Sequence, residues 1–110
     1  MNCTLSKVDG FTVVAIAGEI DLNSSPQMRK AFGELIDKGT TKVIVDLKQV
    51  SYIDSSGLAT LIEVMQKIKK NRGAMSLVNM SDKIRNLFEI TKLDKLFSIY
   101  RTQEEALAAV

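Results

Sequence analysis

The sequence predicts an α/β domain, a mixed sheet of four or five strands with about four helices packed against it. Three observations predict it. Short β-branched and apolar runs alternate with stretches whose apolar residues recur at helical spacing. After an initial pair of strands the order is helix, strand, helix, strand, helix, strand, helix, and strands joined through helices need crossover connections, hence a mostly parallel sheet. The first two strands flank Asp9-Gly10, a tight-turn signal that adds one antiparallel pair. A chain of 110 residues has room for one sizeable core, so residues 1–110 are read as a single domain.

The elements follow in order. Cys3 to Lys7 reads as a short strand and Phe11 to Ala17 as a second, with Gly18-Glu19-Ile20-Asp21 breaking the run. Ser24 or Ser25 can cap a helix with Pro26 in its first turn, where a missing N–H does little harm, and Met28, Phe32, Leu35 and Ile36 share one face. Gly39 ends it. Lys42 to Leu47 is an apolar run typical of a central strand covered on both faces. A second helix starts at Asp54 and runs to about Lys70, with Leu58, Leu61, Ile62, Met65 and Ile68 on its stripe and Gly73 beyond. Ala74 to Val78 is a strand, and Ser81 caps a third helix carrying Ile84, Leu87, Phe88 and Leu93. Phe97 to Tyr100 reads as a short edge strand, and Thr102-Gln103-Glu104-Glu105 as a capping box opening a last helix.

Composition narrows the chemistry. Fifteen Lys and Arg against 13 Asp and Glu leave a formal charge of +2, too small a field to favour nucleic acid or an anionic membrane. The densest basic stretch, Lys67, Lys69, Lys70 and Arg72, falls at a predicted helix end, where it offsets the helix dipole. Hydrophobic residues make up 45% and charged residues 25%, the mixture of a folded domain. Cys3 is the single cysteine, so no internal disulfide can form and a reducing compartment fits. The first residues carry no basic segment followed by an apolar stretch, and no apolar run approaches the roughly 18 residues of a membrane span. A cytoplasmic protein without membrane insertion is expected. Asn2, Asn23 and Asn79 begin formal glycosylation sequons, which carry no weight without a secretory signal.

With no histidine, the commonest general base, metal ligand and triad member is missing, and one cysteine cannot build a zinc site. Neither a phosphate-cradling loop with Lys-Ser/Thr nor the G-x-G-x-x-G pattern is present. No catalytic residue, metal or cofactor is expected. What remains is Ser51-Tyr52-Ile53-Asp54-Ser55-Ser56-Gly57-Leu58, a small, polar and exposed segment between the central strand's loop and the second helix. In open α/β sheets that junction is where ligands and partners dock. Asp54 can simply cap the helix, an interaction worth about 1 kcal/mol. A glycine in a first turn costs roughly 1 kcal/mol against alanine, however, and close approach of another chain would explain it.

Asp54-Ser55-Ser56-Gly57-Leu58, preceded by Val45-Asp46-Leu47 and Val50-Ser51-Tyr52-Ile53, resembles the signature of the STAS domain in bacterial anti-sigma factor antagonists. Gly18-Glu19-Ile20-Asp21 matches a second motif, and Ile84 to Leu93 with Phe97 is similar to the closing helix and last strand, so the likeness spans nearly the whole chain. The resemblance implies a partner switch. The unphosphorylated antagonist binds an anti-sigma factor that is a serine kinase and displaces the sigma factor. The kinase phosphorylates the first serine after the motif's aspartate, here Ser55, and a metal-dependent serine/threonine phosphatase restores it. Asp21, Asn23 and Ser24, by the earlier motif, join Asp54, Ser55, Ser56 and Gly57 in one docking surface, with no direct contact to nucleic acid. Ala59 departs from the pattern, standing where many members have a second glycine.

Other readings stay open on the sequence alone. STAS domains also serve in lipid-transport assemblies, signalling stacks and anion transporters. A nucleotide or small-ligand sensor is a further reading, and an enzyme the last.

Overall fold

The computed structural model describes residues 1–109. The strands are β1 (Asn2–Val8), β2 (Phe11–Ile20), β3 (Lys42–Ile53), β4 (Ala74–Val78) and β5 (Ser98–Tyr100). The helices are α1 (Ser25–Asp37), α2 (Ser55–Lys70), α3 (Asp82–Ile90) and α4 (Gln103–Ala108), with a short 3-10 turn at Leu93–Lys95. The predicted mixed sheet has five strands in the order β1-β2-β3-β4-β5. β1 is antiparallel to β2 across Asp9 and Gly10, both at positive φ (51° and 85°), as a tight hairpin requires. Every later pair is parallel, so α1, α2 and α3 are crossovers, and α4 follows the last strand.

Alternation along the strands builds two cores. Val14, Ile16, Val43, Val45, Leu47, Met75 and Leu77 face α1, α2 and α3, which contribute Met28 and Phe32, Leu61, Met65 and Ile68, and Ile84 and Phe88. Phe88 meets Phe97 edge to face, with ring centroids 5.6 Å apart. On the opposite face Phe11, Val13, Ile44 and Val78 pack against Ala106 of α4. The run from Val43 to Leu47 is therefore covered on both sides, as its composition requires.

The strands leading to the site differ from the sequence reading. β2 does not break at Gly18 but continues to Ile20, and β3 does not stop at Leu47 but continues to Ile53. The reason is two irregularities in the β2–β3 register. Ala15 pairs with Asp46 but Ala17 with Gln49, and Gly18 pairs with Val50 but Glu19 with Tyr52. At each step β3 carries an extra residue, so its buried positions pass from Leu47 to Val50 to Ile53 at intervals of three. Gly18 lies at φ 106°, a conformation that L side chains rarely adopt, which is why a glycine sits there inside a strand.

Smaller corrections concern helix ends. Leu93 belongs to the 3-10 turn, not to the α3 stripe, because the chain turns through Lys92 at φ 60°. Thr102 does cap α4 by accepting from the Glu105 N–H at 3.2 Å, but the Glu105 carboxylate accepts from the Arg101 N–H and not from Thr102, so the box closes one residue early.

Candidate functional site

The carboxyl ends of β2 and β3 deliver the two polar segments side by side. β3 passes into α2 with no intervening loop, and Asp54 is the hinge. Its backbone is extended and its Oδ1 accepts from the Gly57 N–H at 2.8 Å, a regular N-cap. Its own N–H donates to the Ile20 carbonyl at 3.2 Å, tying the start of α2 to the end of β2. Oδ2 faces the Leu22 N–H at 3.4 Å, a long contact across the two segments. Ser55 is exposed in the first turn of α2 and Ser56 half-buried.

The segment is not exposed throughout as expected: Ile53, Gly57 and Leu58 are buried, because the end of β3 and the start of α2 pack into the core. The sequence suggested that Gly57 is small to admit another chain. The structure gives a different reason. A Cβ on Gly57 would collide with the Ile20 carbonyl oxygen and lie 2.8 Å from its carbon, so the approaching backbone is the protein's own. The helix can reach the sheet this closely only without a side chain there.

The turn after β2 is organised by Asp21. Its Oδ1 accepts from the N–H groups of Asn23 and Ser24, each at 3.0 Å, and its carbonyl accepts from Ser25 N at 2.9 Å. The Asp21 carboxylate thus holds the turn that leads into α1 and reaches none of the helix's own N–H groups. Ser24 makes no capping bond to α1, because its backbone is already helical, at φ −92° and ψ −14°. Its hydroxyl donates to the Glu19 carbonyl at 2.8 Å and accepts from the Asp21 N–H at 2.9 Å, closing the turn from inside. Ser24 is buried, Asp21 half-buried and Asn23 exposed. Along with Met1, Glu19 and Gln27, those three residues line an open polar cavity of about 300 Å³.

Two hydroxyls join the segments from beneath. Ser25 Oγ donates to the Asp21 carbonyl at 2.7 Å, and Thr60 Oγ1 lies 3.0 Å from Ser25 Oγ and 2.9 Å from the Ser56 carbonyl. Thr60 was not singled out by the sequence, and Ser25 only as an alternative cap for α1. The signal available was a threonine on the apolar stripe of α2, with Leu61 and Val64 beside it. Leu22 was also missed; it stands 70% exposed beside Asp54. Beyond Tyr52, an apolar groove of about 260 Å³ runs to Leu87 and Ile90 of α3. Among the described residues, no group of acidic or sulfur side chains could hold a metal ion, and no helix is long and apolar enough to cross a membrane.

Comparison with known proteins agrees with this geometry. Residues 2–106 match the family model of the STAS domain. The chain is 38% identical over 104 residues to the anti-sigma-B factor antagonist of Bacillus subtilis, covering 94% of each chain. It superimposes on an anti-sigma factor antagonist from Mycobacterium paratuberculosis with TM-score 0.88 and 31% identity, covering 99% of this chain and 92% of that one. It also superimposes on the phosphorylated form of the Bacillus cell fate determinant SpoIIAA, with TM-score 0.73 and 26% identity over 98% of both chains. With its five-stranded sheet, its Asp54-capped helix and a family match over almost its whole length, the chain belongs to the STAS domain family of bacterial anti-sigma factor antagonists.

Proposed function

We propose that this protein is an anti-sigma factor antagonist that works by partner switching under control of phosphorylation at Ser55. Unphosphorylated, it binds an anti-sigma factor that is itself a serine kinase and thereby frees the sigma factor. Phosphoryl transfer to Ser55 releases the antagonist, and a metal-dependent serine/threonine phosphatase returns it to the binding form. Its part is to bind and to accept the phosphoryl group, in the bacterial cytoplasm where sigma factors work, without touching nucleic acid.

The observation that carries this reading is the setting of Ser55. It is exposed on the first turn of a 16-residue helix whose start is anchored to β2 through Asp54 and Gly57. A kinase can reach the hydroxyl without unfolding anything. Asp54 precedes it in the chain, with Oδ2 3.4 Å from the Leu22 N–H in the Asp21 turn, so a partner seated on Asp21, Asn23, Ser24, Asp54, Ser55 and Ser56 would register a new charge within its contact.

The test begins with a pull-down from the native cell using the purified chain. A small serine kinase should be recovered, and with ATP it should phosphorylate Ser55 and no other residue, read by mass spectrometry of the intact protein and its peptides. Phosphate on another serine, or equal incorporation into Ser55→Ala, would contradict the assignment.

A further inference from the structure

The site contains a polar connection that neither capping nor packing explains. Ser25 and Thr60 are almost fully buried, at 2% and 0% exposure, where α1 crosses the first turns of α2. Their hydroxyls form the one fully buried hydrogen bond between side chains among the described residues. Thr60 Oγ1 has a single proton, shared between Ser25 Oγ at 3.0 Å and the Ser56 carbonyl at 2.9 Å, while Ser25 Oγ passes its own proton to the Asp21 carbonyl at 2.7 Å. The series therefore runs from the residue after Ser55 to the residue that organises the neighbouring turn. Alanine and valine would fill the same volume without the cost of burying two hydroxyls. Each hydroxyl also donates to a carbonyl four residues back in its own segment, and only one arrangement of turn and helix lets Ser25 Oγ accept from Thr60 Oγ1 as well, so the pair favours that relative position.

We propose that Ser25 and Thr60 are positioning residues, whose hydroxyl relay locks the Asp21 turn to the first turn of α2 and presents both halves of the docking surface in a single geometry. That this geometry serves partner binding rests on the antagonist reading; the coupling itself does not.

The test uses the intact free chain. Thr60→Val keeps the shape and removes the hydroxyl, Ser25→Ala removes the other, and Thr60→Ser restores the donor. Amide hydrogen exchange followed by NMR should show the Asn23 and Ser24 N–H groups exchanging about tenfold faster in Thr60→Val and in Ser25→Ala. The double variant should add little to either single change. Amides at the sheet centre, such as Val45 and Leu77, should keep their rates, and Thr60→Ser should resemble the wild type. Unchanged exchange at Asn23 and Ser24, or a uniform acceleration of all amides as from general loss of stability, would overturn the coupling. In parallel, affinity for the kinase captured by the wild-type chain should fall about tenfold in Thr60→Val and recover in Thr60→Ser. Full affinity despite altered exchange would overturn the docking half of the proposal. A wild-type chain that captures no kinase counts against the antagonist reading, and the exchange rates then decide the coupling alone.

Discussion

The carbonyl oxygen of Ile20 occupies the place where a side chain on residue 57 would begin. The same oxygen accepts the Asp54 N–H, so it cannot swing aside without breaking the bond that seats α2 on the sheet. One close approach thus fixes both the height of the helix start and the exposure of Ser55 above it. Gly57→Ala should destabilise the fold by about 1–3 kcal/mol, the usual range for overpacking, despite alanine's better helix propensity. Gly33 in α1 is the control: a Cβ there meets nothing within 4 Å, so Gly33→Ala should be neutral or stabilising by roughly 0.5–1 kcal/mol. Denaturant unfolding of the two variants checks the contrast, and equal effects would refute it.

Asp54 is a cap before it is anything else. Asp54→Ala removes the acceptor of the Gly57 N–H and should lower stability by about 1 kcal/mol, whereas Asp54→Asn keeps an acceptor oxygen and should lose less. Urea titrations of both variants would show the order, and an Asp54→Ala protein as stable as the wild type would remove the cap from the account.

Asp21 should matter twice. Its carboxylate satisfies two backbone N–H groups, so Asp21→Ala should lower stability by roughly 1–2 kcal/mol, and the slackened turn should also weaken partner binding. Calorimetric titration against the proposed kinase partner separates the effects. Lower stability with unchanged affinity would restrict Asp21 to shaping the turn.

Burial raises the pKa of the Cys3 thiol, against a smaller opposing pull from the N-terminal amine. A raised pKa means less thiolate at neutral pH, and thiolate is the reactive form. Alkylation by iodoacetamide at pH 7 should be slower than for free cysteine and should climb as pH rises above the ordinary thiol range. Neutral-pH alkylation as fast as free cysteine would contradict this.

The helices were legible because their apolar stripes depend only on local spacing. Leu58, Leu61, Met65 and Ile68 are all buried on α2, and Asp54 and Ser81 cap where a polar residue precedes such a stripe. The far half of β3 was not legible, since two extra residues against β2 replace alternation with intervals of three, and no two-residue period survives beyond Leu47. Gly57 could be recognised as anomalous from its position alone. The cause, Ile20, becomes visible only when β2 and β3 are paired. Ser25 and Thr60 are distant in sequence and meet only through helix packing, so nothing local joins them.

The central claim is that phosphate on Ser55 ends binding without unfolding the domain. A phosphoserine carries about −1.5 to −2 charges, and in the first turn of α2 it should gain roughly 0.3–1 kcal/mol from the helix dipole. The free fold should therefore tolerate it. In a closed complex the same group would lose water beside the Asp54 carboxylate, at a cost on the order of several kcal/mol, while each 1.4 kcal/mol weakens binding about tenfold. Ser55→Ala should stay bound and resist release, and Ser55→Asp, with less charge, should be released in part. The most direct measurement is calorimetric titration of the proposed kinase partner with purified unphosphorylated and Ser55-phosphorylated protein, alongside unfolding of each. The account predicts equal or slightly higher stability for the phosphorylated form and an affinity lower by orders of magnitude; intact phosphorylated protein that binds as tightly as the unmodified form would contradict it.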